Sequence, residues 1–161
     1  MLYVPQRVGF NGREFNQLKF RTMHNDADSQ LAAALDVDAP PGRVTRPGKL
    51  LRRSSLDELP QLLNVLRGDM AIVGPRPLLP EVADRIPPDH ARFSVLPGLT
   101  GLAQISGRNT LPWTERLRLD AEYATRRTLR LDLEILVRSV SVVLRSDGFV
   151  QDRNASDVMD L

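Results

Sequence analysis

Hydrophobic and polar positions alternate weakly over residues 8–23, on both sides of the dipeptide Asn11-Gly12. Alternation of this kind is typical of β-strands, and Asn-Gly is a common turn between antiparallel strands. The pattern predicts a β-hairpin near the N-terminus that leads into the segment KFRTM. Lys19 and Arg21 are separated by one residue, so on a strand they share a face. Their charges can then converge on one phosphate, or lie along a solvated sheet edge.

Helical patterns cover much of the remaining chain, at residues 26–35, 60–66, 114–125 and 131–145. Residues 36–48 are rich in Asp, Pro and Gly, which predicts an exposed loop, and residues 49–53 form a basic turn. Gly68 is expected to end the second helix, and Asp147-Gly148 the last one. The chain is therefore predicted to be an α+β protein, a mostly helical single domain with a small β-hairpin or sheet near its N-terminus.

Two sets of apolar residues are candidates for the hydrophobic core. In the helix over residues 60–66 they are Leu62, Leu63, Val65 and Leu66. On one face of the last helix they are Leu133, Leu136, Val137, Val140 and Leu144. An apolar stripe at helical spacing is typical of a helix that packs on a core. Because Arg126, Arg127 and Arg130 lie near its start, the second stripe also suits a membrane interface.

At 161 residues and 42% hydrophobic content, the chain can bury one core of ordinary size. Only Lys19 and Lys49 are lysines, so arginine supplies most of the positive charge. Arginine suits phosphates and lipid headgroups, although genome composition explains the bias equally well. The pI of about 9.5 also suits nucleic acid. Acidic residues are interleaved with the basic ones and no base-reading motif is present, so no nucleic-acid partner is predicted.

The absence of cysteine excludes thiol nucleophiles, disulfides and thiolate metal sites, and it fits a cytosolic setting. His24 and His90 stand apart without the spacing of metal ligands, so neither is assigned a role. No apolar run reaches the length of about 18 residues that a transmembrane helix needs. Residues 1–10 lack the charged start and apolar stretch of a signal peptide.

An adjacent carboxylate pair, Asp57 and Glu58, lies between arginine-bearing turns in RRSSLDELPQLLNVLRGDMAIVGPRP, residues 52–77. Carboxylates hold hard divalent cations or attack phosphorus, and the arginine fork binds phosphate oxygens. Neighbouring side chains on a helix point about 100° apart, so one carboxylate can attack while the other holds metal. Ser55 and Glu58 also fit a capping box, with Pro60 in the first turn, so the run can simply start a helix. A helix start itself suits phosphate, and both interpretations can hold.

Two further arginines are candidate anion contacts. Arg76 lies between Pro75 and Pro77, which fix the backbone and lower the entropy lost when the side chain binds an anion. Without the motif context, a proline-rich turn with an incidental charge explains Arg76 better. Arg108 follows a Gly-rich segment, residues 97–101, whose backbone can approach a ligand closely.

Several blocks of the sequence match the motifs of one family, in that family's order. The blocks are RVGFNGREF at residues 7–15, KFRTM at 19–23, SLDELPQLLNVLRGDMAIVGPRP at 55–77, PGLTGLAQISGRN at 97–109 and LDLEIL at 131–136. Over nearly its whole length the chain resembles the bacterial sugar transferase family, the monotopic polyprenyl-phosphate phosphoglycosyl transferases.

The resemblance implies transfer of a sugar phosphate from a nucleoside diphosphate sugar, usually a UDP-sugar, to polyprenyl phosphate, which initiates glycan assembly. It implies that Asp57 attacks the β-phosphorus to form a phosphosugar-aspartyl intermediate, and that Glu58 helps to hold Mg²⁺. The residues implied to bind substrate are Lys19, Arg21, Arg76, Arg108 and Asp132. For Asp132, in the LDL motif, structural hydrogen bonding is the alternative role.

Members of this family carry an N-terminal hydrophobic helix that re-enters the membrane and holds the active site at the cytoplasmic face of the bacterial inner membrane. The chain is expected to be the catalytic domain, residues 1–161, without that helix and soluble on its own. Its expected partners are the nucleotide sugar, polyprenyl phosphate and the cytoplasmic membrane surface, with a homodimer left open. The alternative is a catalytically silent module of the same fold that binds a membrane surface or a protein partner.

Overall fold

The computed structural model of the chain describes residues 1–23, 44–107 and 111–145, with side chains up to residue 142. The strands are β1 (Leu2–Tyr3), β2 (Gln6–Val8), β3 (Glu14–Asn16), β4 (Lys19–Phe20), β5 (Ala71–Val73) and β6 (Gly98–Thr100). The helices are α1 (Arg46–Arg53), α2 (Gln61–Arg67), α3 (Pro80–Ala83), α4 (Leu102–Ser106), α5 (Trp113–Arg126) and α6 (Leu129–Arg145). Helices hold most of the regular structure and the sheets are small, which confirms the predicted α+β, mostly helical architecture.

The predicted hairpin is present near the N-terminus. Strands β2 and β3 pair antiparallel, with Arg7 opposite Phe15, and a short 3-10 turn over Phe10–Gly12 joins them. Asn11 adopts a left-handed conformation with φ of 54°, which asparagine tolerates better than most residues. The strand that carries Lys19 pairs instead with β1, where Tyr3 lies opposite Lys19. The N-terminal region is therefore two separate two-stranded sheets.

The helix ends agree with the capping rules. Gly68 ends α2 with φ of 83°, as predicted. The basic residues 49–53 are not a turn but the second half of α1, which begins inside the predicted loop. The Thr45 hydroxyl caps that helix by accepting a hydrogen bond of 3.0 Å from the Gly48 amide. The predicted helix over residues 26–35, the loop up to residue 43 and the end at Asp147-Gly148 lie outside the described residues.

A parallel pair, β5 and β6, lies at the centre of the domain, with Ala71 opposite Gly98 and Val73 opposite Thr100. No pattern in the sequence predicted it, because each strand is only 3 residues long. A Cβ on Gly74 or Gly98 would overlap main-chain atoms of the neighbouring strand, so glycine permits the close approach. This pair fixes the main chain immediately before Arg76.

Two apolar clusters of buried residues form the core. The first consists of Val8, Leu78, Val82, Ala83, Ile86, Phe93 and Trp113. The second consists of Val73, Val95, Tyr123 and Ile135. The first cluster joins the N-terminal hairpin to α3 and α5, and the second joins β5 to α5 and α6. Both clusters therefore hold the ends of the segment that connects β5 to β6.

Helix α2 presents its polar face to the interior, so the prediction that Leu62, Leu63 and Leu66 are core residues is wrong. These leucines are 43%, 48% and 83% exposed, whereas Asn64 is 0% exposed. The side-chain Oδ1 of Asn64 accepts a hydrogen bond of 2.9 Å from the main-chain N–H of Leu18. Its Nδ2 donates one of 2.8 Å to the main-chain carbonyl of Asn16. Asn64 thereby provides partners for two backbone groups of the hairpin region, through hydrogen bonds that are partly buried. Val65, the other core candidate on this helix, is half-buried.

The last helix also departs from its predicted orientation. Ile135 is 0% exposed and packs in the second core cluster, and Leu136 is partly buried against that cluster. Leu133, Val137 and Val140 are exposed, so the prediction that they are core residues is wrong. The Leu144 side chain lies outside the described residues. Within the described ranges, no helix is both long and apolar enough to span a bilayer.

The inverted orientation of α2 predicts a clear difference between two substitutions. Asn64→Ala should lower the free energy of unfolding by about 2–4 kcal/mol, because it removes two hydrogen bonds of a fully buried side chain and leaves their main-chain partners unpaired, at about 1–3 kcal/mol for each group. Leu66→Ala, on the exposed face of the same helix, should change it by less than about 0.5 kcal/mol. Urea unfolding followed by circular dichroism measures both values. A larger loss for Leu66→Ala than for Asn64→Ala would contradict the orientation of α2.

Candidate active site

The carboxylate pair lies in a 3-10 turn, Leu56–Glu58, between α1 and α2. Ser55 precedes this turn with φ of 56°, and its side chain makes no capping hydrogen bond. The interpretation of Ser55 and Glu58 as a capping box is therefore wrong. A left-handed conformation costs a non-glycine residue about 1–2 kcal/mol, so surrounding contacts must hold Ser55 in place. Strain of this kind clusters at functional sites, and here it immediately precedes the turn that carries the buried Asp57.

Asp57 is a buried carboxylate, 8% exposed, with cations around it. Burial raises its pKa above the usual value of 3.8, and the negative charge of Glu58 raises it further. Lys19, Arg52 and Arg76 act in the opposite direction and lower this pKa. The structure thus brings together four of the predicted site residues, Lys19, Asp57, Glu58 and Arg76.

Arg76 joins this cluster through Glu58. Its Nη2 donates a hydrogen bond of 2.9 Å to Glu58 Oε1, and both side chains are partly exposed. The main chain before Arg76 is fixed, because the Gly74 amide donates to the carbonyl of Thr100 at 2.8 Å. An arginine guanidinium carries five N–H donors in a fixed fork, a geometry that suits a phosphate as well as a carboxylate.

Lys19 and Arg21 lie over the same aromatic ring. The Lys19 Nζ and the Arg21 guanidinium are each 5.8 Å from the centre of the Tyr3 ring. Both distances are within the range of a cation–π contact. This confirms that the two residues share a face, as the strand pattern predicted. Lys19 also lowers the pKa of Asp57, so this face borders the carboxylate.

Arg52 is a site residue that sequence reasoning missed. Its charge lowers the pKa of Asp57, and its Nε donates a hydrogen bond of 2.9 Å to Thr22 Oγ1. The main-chain carbonyl of Thr22 in turn accepts from the Thr45 amide, which ties the start of α1 to the N-terminal region. The basic residues before the carboxylates were the sequence feature that could have indicated this role. Periodicity, however, did not show that α1 would direct Arg52 toward Asp57.

Asp132 lies in a different hydrogen-bonded group. Its Oδ1 accepts a hydrogen bond of 2.8 Å from the Tyr123 hydroxyl, which also lies 3.0 Å from the main-chain oxygen of Val73. Burial and this hydrogen bond both raise the pKa of Tyr123. These contacts support the structural alternative for Asp132, and its substrate contact stays a prediction. Arg108 lies outside the described residues.

The carboxylate pair Asp57 and Glu58 is the candidate ligand set for a divalent cation. Among the described residues, no group of 3 or more His, Cys, Asp and Glu side chains is placed to hold a metal ion. Mg²⁺ usually binds one or two carboxylates and takes its remaining ligands from water and substrate phosphates. Asp57 and Glu58 fit this pattern, because a cation beside them would relieve the repulsion that raises the Asp57 pKa.

Comparison with known proteins assigns the family to which this fold and this site belong. The model of the bacterial sugar transferase family matches residues 1–146, and the chain belongs to that family. Its members are sugar transferases, so the prediction of an enzyme of this type is confirmed.

Three relatives show the extent of the similarity. The chain is 43% identical over 157 residues to the uncharacterized sugar transferase EpsL of Bacillus subtilis, covering 97% of the chain and 76% of the relative. It is 44% identical over 157 residues to the UDP-glucose:undecaprenyl-phosphate glucose-1-phosphate transferase of Caulobacter vibrioides, covering 91% and 58%. It is 39% identical over 161 residues to the undecaprenyl-phosphate galactose phosphotransferase of Salmonella typhimurium, covering 91% and 34%. The chain thus spans from about a third to three quarters of these relatives.

The electrostatics of the cluster predict opposite shifts for two substitutions when no divalent cation is present. Glu58→Gln should lower the pKa of Asp57, because it removes the neighbouring negative charge. Arg76→Ala should raise the same pKa, because it removes a stabilising positive charge. Carbon-13 NMR titration of the Asp57 carboxyl measures both shifts. Equal pKa values in the two variants would show that these charges do not act on Asp57.

Proposed function

We propose that this chain transfers a sugar phosphate from a UDP-sugar to a polyprenyl phosphate, with Asp57 as the nucleophile. The observation that carries the proposal is a buried carboxylate held among Lys19, Arg52 and Arg76, beside a second carboxylate. The relatives from Caulobacter and Salmonella supply the substrate class, since both are named as transferases that act on undecaprenyl phosphate. A carboxylate with several cations and a second carboxylate close to it is typical of a site that binds phosphate.

In the first step, an Asp57 carboxylate oxygen forms a bond to the β-phosphorus of the UDP-sugar. The bond from this phosphorus to the bridging oxygen breaks, and UMP leaves with the electron pair of that bond. Arg76 and Lys19 supply positive charge for the phosphate oxygens. Glu58 is the residue that would hold Mg²⁺, which when bound neutralises charge on the diphosphate.

In the second step, a phosphate oxygen of the polyprenyl phosphate attacks the same phosphorus. The bond to Asp57 breaks, which regenerates the carboxylate and yields a sugar linked to the carrier through a diphosphate. This sequence requires Asp57 to be ionised in the resting site. Because burial raises its pKa, the cations Lys19, Arg52 and Arg76 are needed to keep the charged form accessible.

The proposed acceptor is a lipid, and exposed apolar residues precede and follow the carboxylates in the sequence. We call these residues the leucine face: Leu50 of α1, Leu56 of the 3-10 turn, Leu59, and Leu62, Leu63 and Leu66 of α2, all of them exposed. Groups of exposed apolar residues mark interaction surfaces, and α1, which carries Leu50, also carries Arg52 and Arg53 in its last turn. These features support contact between the leucine face and an anionic membrane surface, with Asp57 near the interface.

The proposed first step does not need a lipid, so it can be trapped. Incubation with labelled UDP-sugar and Mg²⁺ should give an acid-labile phosphosugar adduct on Asp57, detectable by mass spectrometry. Asp57→Asn should abolish the adduct, and Glu58→Gln should slow its formation by about 10²-fold or more. Glu134→Gln, at an exposed position on α6, is the matched control and should form it normally. A folded wild-type chain that forms no adduct would favour the catalytically silent module.

Membrane contact through the leucine face predicts a difference between two triple variants. Replacing Leu62, Leu63 and Leu66 with glutamine should weaken binding to phosphatidylglycerol vesicles by more than about tenfold, because each buried leucine contributes about 1.5 kcal/mol or more. The comparison variant replaces the exposed apolar residues of α6, Leu133, Val137 and Val140, with glutamine. Vesicle sedimentation measures both. Greater loss in the α6 variant would assign membrane contact to α6.

A further inference from the structure

A buried ion pair outside the carboxylate cluster is not used by the proposed reaction. Arg92 lies in the 3-10 turn Ala91–Ser94, and Asp120 lies on α5. Arg92 Nη1 is 3.3 Å from Asp120 Oδ2, and the two side chains are 4% and 6% exposed. Burial raises the pKa of Asp120 to about 6, although Arg92 opposes this shift. Because a buried ion pair adds little net stability, its presence calls for another explanation.

The guanidinium of Arg92 makes a second contact that leads to the site. Its Nη2 donates a hydrogen bond of 2.6 Å to the main-chain carbonyl of Arg76. Pro75 and Pro77 flank Arg76 and have no amide hydrogen, so main-chain carbonyls anchor this segment. The Pro75 carbonyl accepts from the Gly98 amide at 2.9 Å, and the Arg76 carbonyl accepts from Arg92. The planar fork of arginine can bond Asp120 and the carbonyl of Arg76 together.

We infer that Arg92 is a positioning residue for Arg76. Asp120 orients the Arg92 fork, the fork fixes the Arg76 main chain, and the Arg76 side chain then reaches Glu58 at 2.9 Å. The part of this inference that concerns catalysis rests on the proposed function, because it assumes that Arg76 acts on the donor. The part that concerns order in the Arg76 side chain does not. A purely structural pair would only join α5 to the turn that carries Arg92.

Arg92→Lys separates these two roles, because lysine keeps the charge but lacks the fork. The matched control is Arg7→Lys, since Arg7 is also buried and bonds Gln17 through its Nε. In Arg92→Lys the nitrogen-15 heteronuclear NOE of Arg76 Nε should fall to the value of an exposed arginine such as Arg67, and adduct formation should slow by about tenfold or more. Both readouts should stay at wild-type values in Arg7→Lys.

A double-mutant cycle gives the sharpest result. If Arg92 acts through Arg76, Arg92→Lys should have no further effect on adduct formation in an Arg76→Ala background. Additive losses, or an unchanged Arg76 NOE in a less stable Arg92→Lys protein, would overturn the inference. If Arg92→Lys does not fold, Asp120→Asn replaces it in the experiment, because this variant removes the carboxylate that orients the Arg92 guanidinium. The same loss of the Arg76 NOE is expected. The NOE decides the inference even if the wild-type chain forms no adduct, an outcome that would count only against the proposed function.

Discussion

The side-chain amide of Asn64 fixes the orientation of α2, on which the rest of the site depends. It is fully buried and bonds the main chain at Leu18 and Asn16, so α2 must turn its polar face toward the N-terminal hairpin. The leucines of the opposite face are then exposed, and the turn before α2 carries Asp57 toward Lys19. One hydrogen-bonded side chain thus couples the position of the carboxylates to the exposure of the leucine face. The proposed nucleophile and the surface proposed to contact lipid are placed together for the same physical reason.

The second constraint on the site is the balance between the effects that raise and those that lower the pKa of Asp57. Asp57 is buried enough to favour its neutral form, and the charge of Glu58 adds to this effect. The surrounding cations come from separate parts of the chain: β4 supplies Lys19, α1 supplies Arg52, and the segment after β5 supplies Arg76. Their convergence needs the parallel pair β5 and β6 and the contacts around Arg92, all distant from the carboxylates in sequence. The reactivity proposed for Asp57 is therefore a property of the whole domain.

Local patterns in the sequence predicted local features well. The Asn11-Gly12 turn, the end of α2 at Gly68 and the shared face of Lys19 and Arg21 all follow from backbone preferences of a few residues. Periodicity showed that α2 and α6 are amphipathic, but it did not show which face of each helix is buried. The buried face depends on tertiary partners, such as the main-chain groups of Asn16 and Leu18 that bond Asn64. The inward orientation of Arg52 likewise depends on tertiary contacts with Thr22. The adjacency of Asp57 and Glu58 suggested two separate tasks, and the resemblance supplied which carboxylate is proposed for which task.

The central claim is that Asp57 forms a covalent intermediate before any lipid acceptor binds. It is tested most directly by isotope exchange between labelled UMP and unlabelled UDP-sugar, with Mg²⁺ present and polyprenyl phosphate absent. Reversal of the first step should move the label into the UDP-sugar with the wild-type chain and not with Asp57→Asn. If a chain that completes the full reaction with polyprenyl phosphate shows no such exchange without it, the sugar phosphate passes directly from donor to acceptor and the account is contradicted.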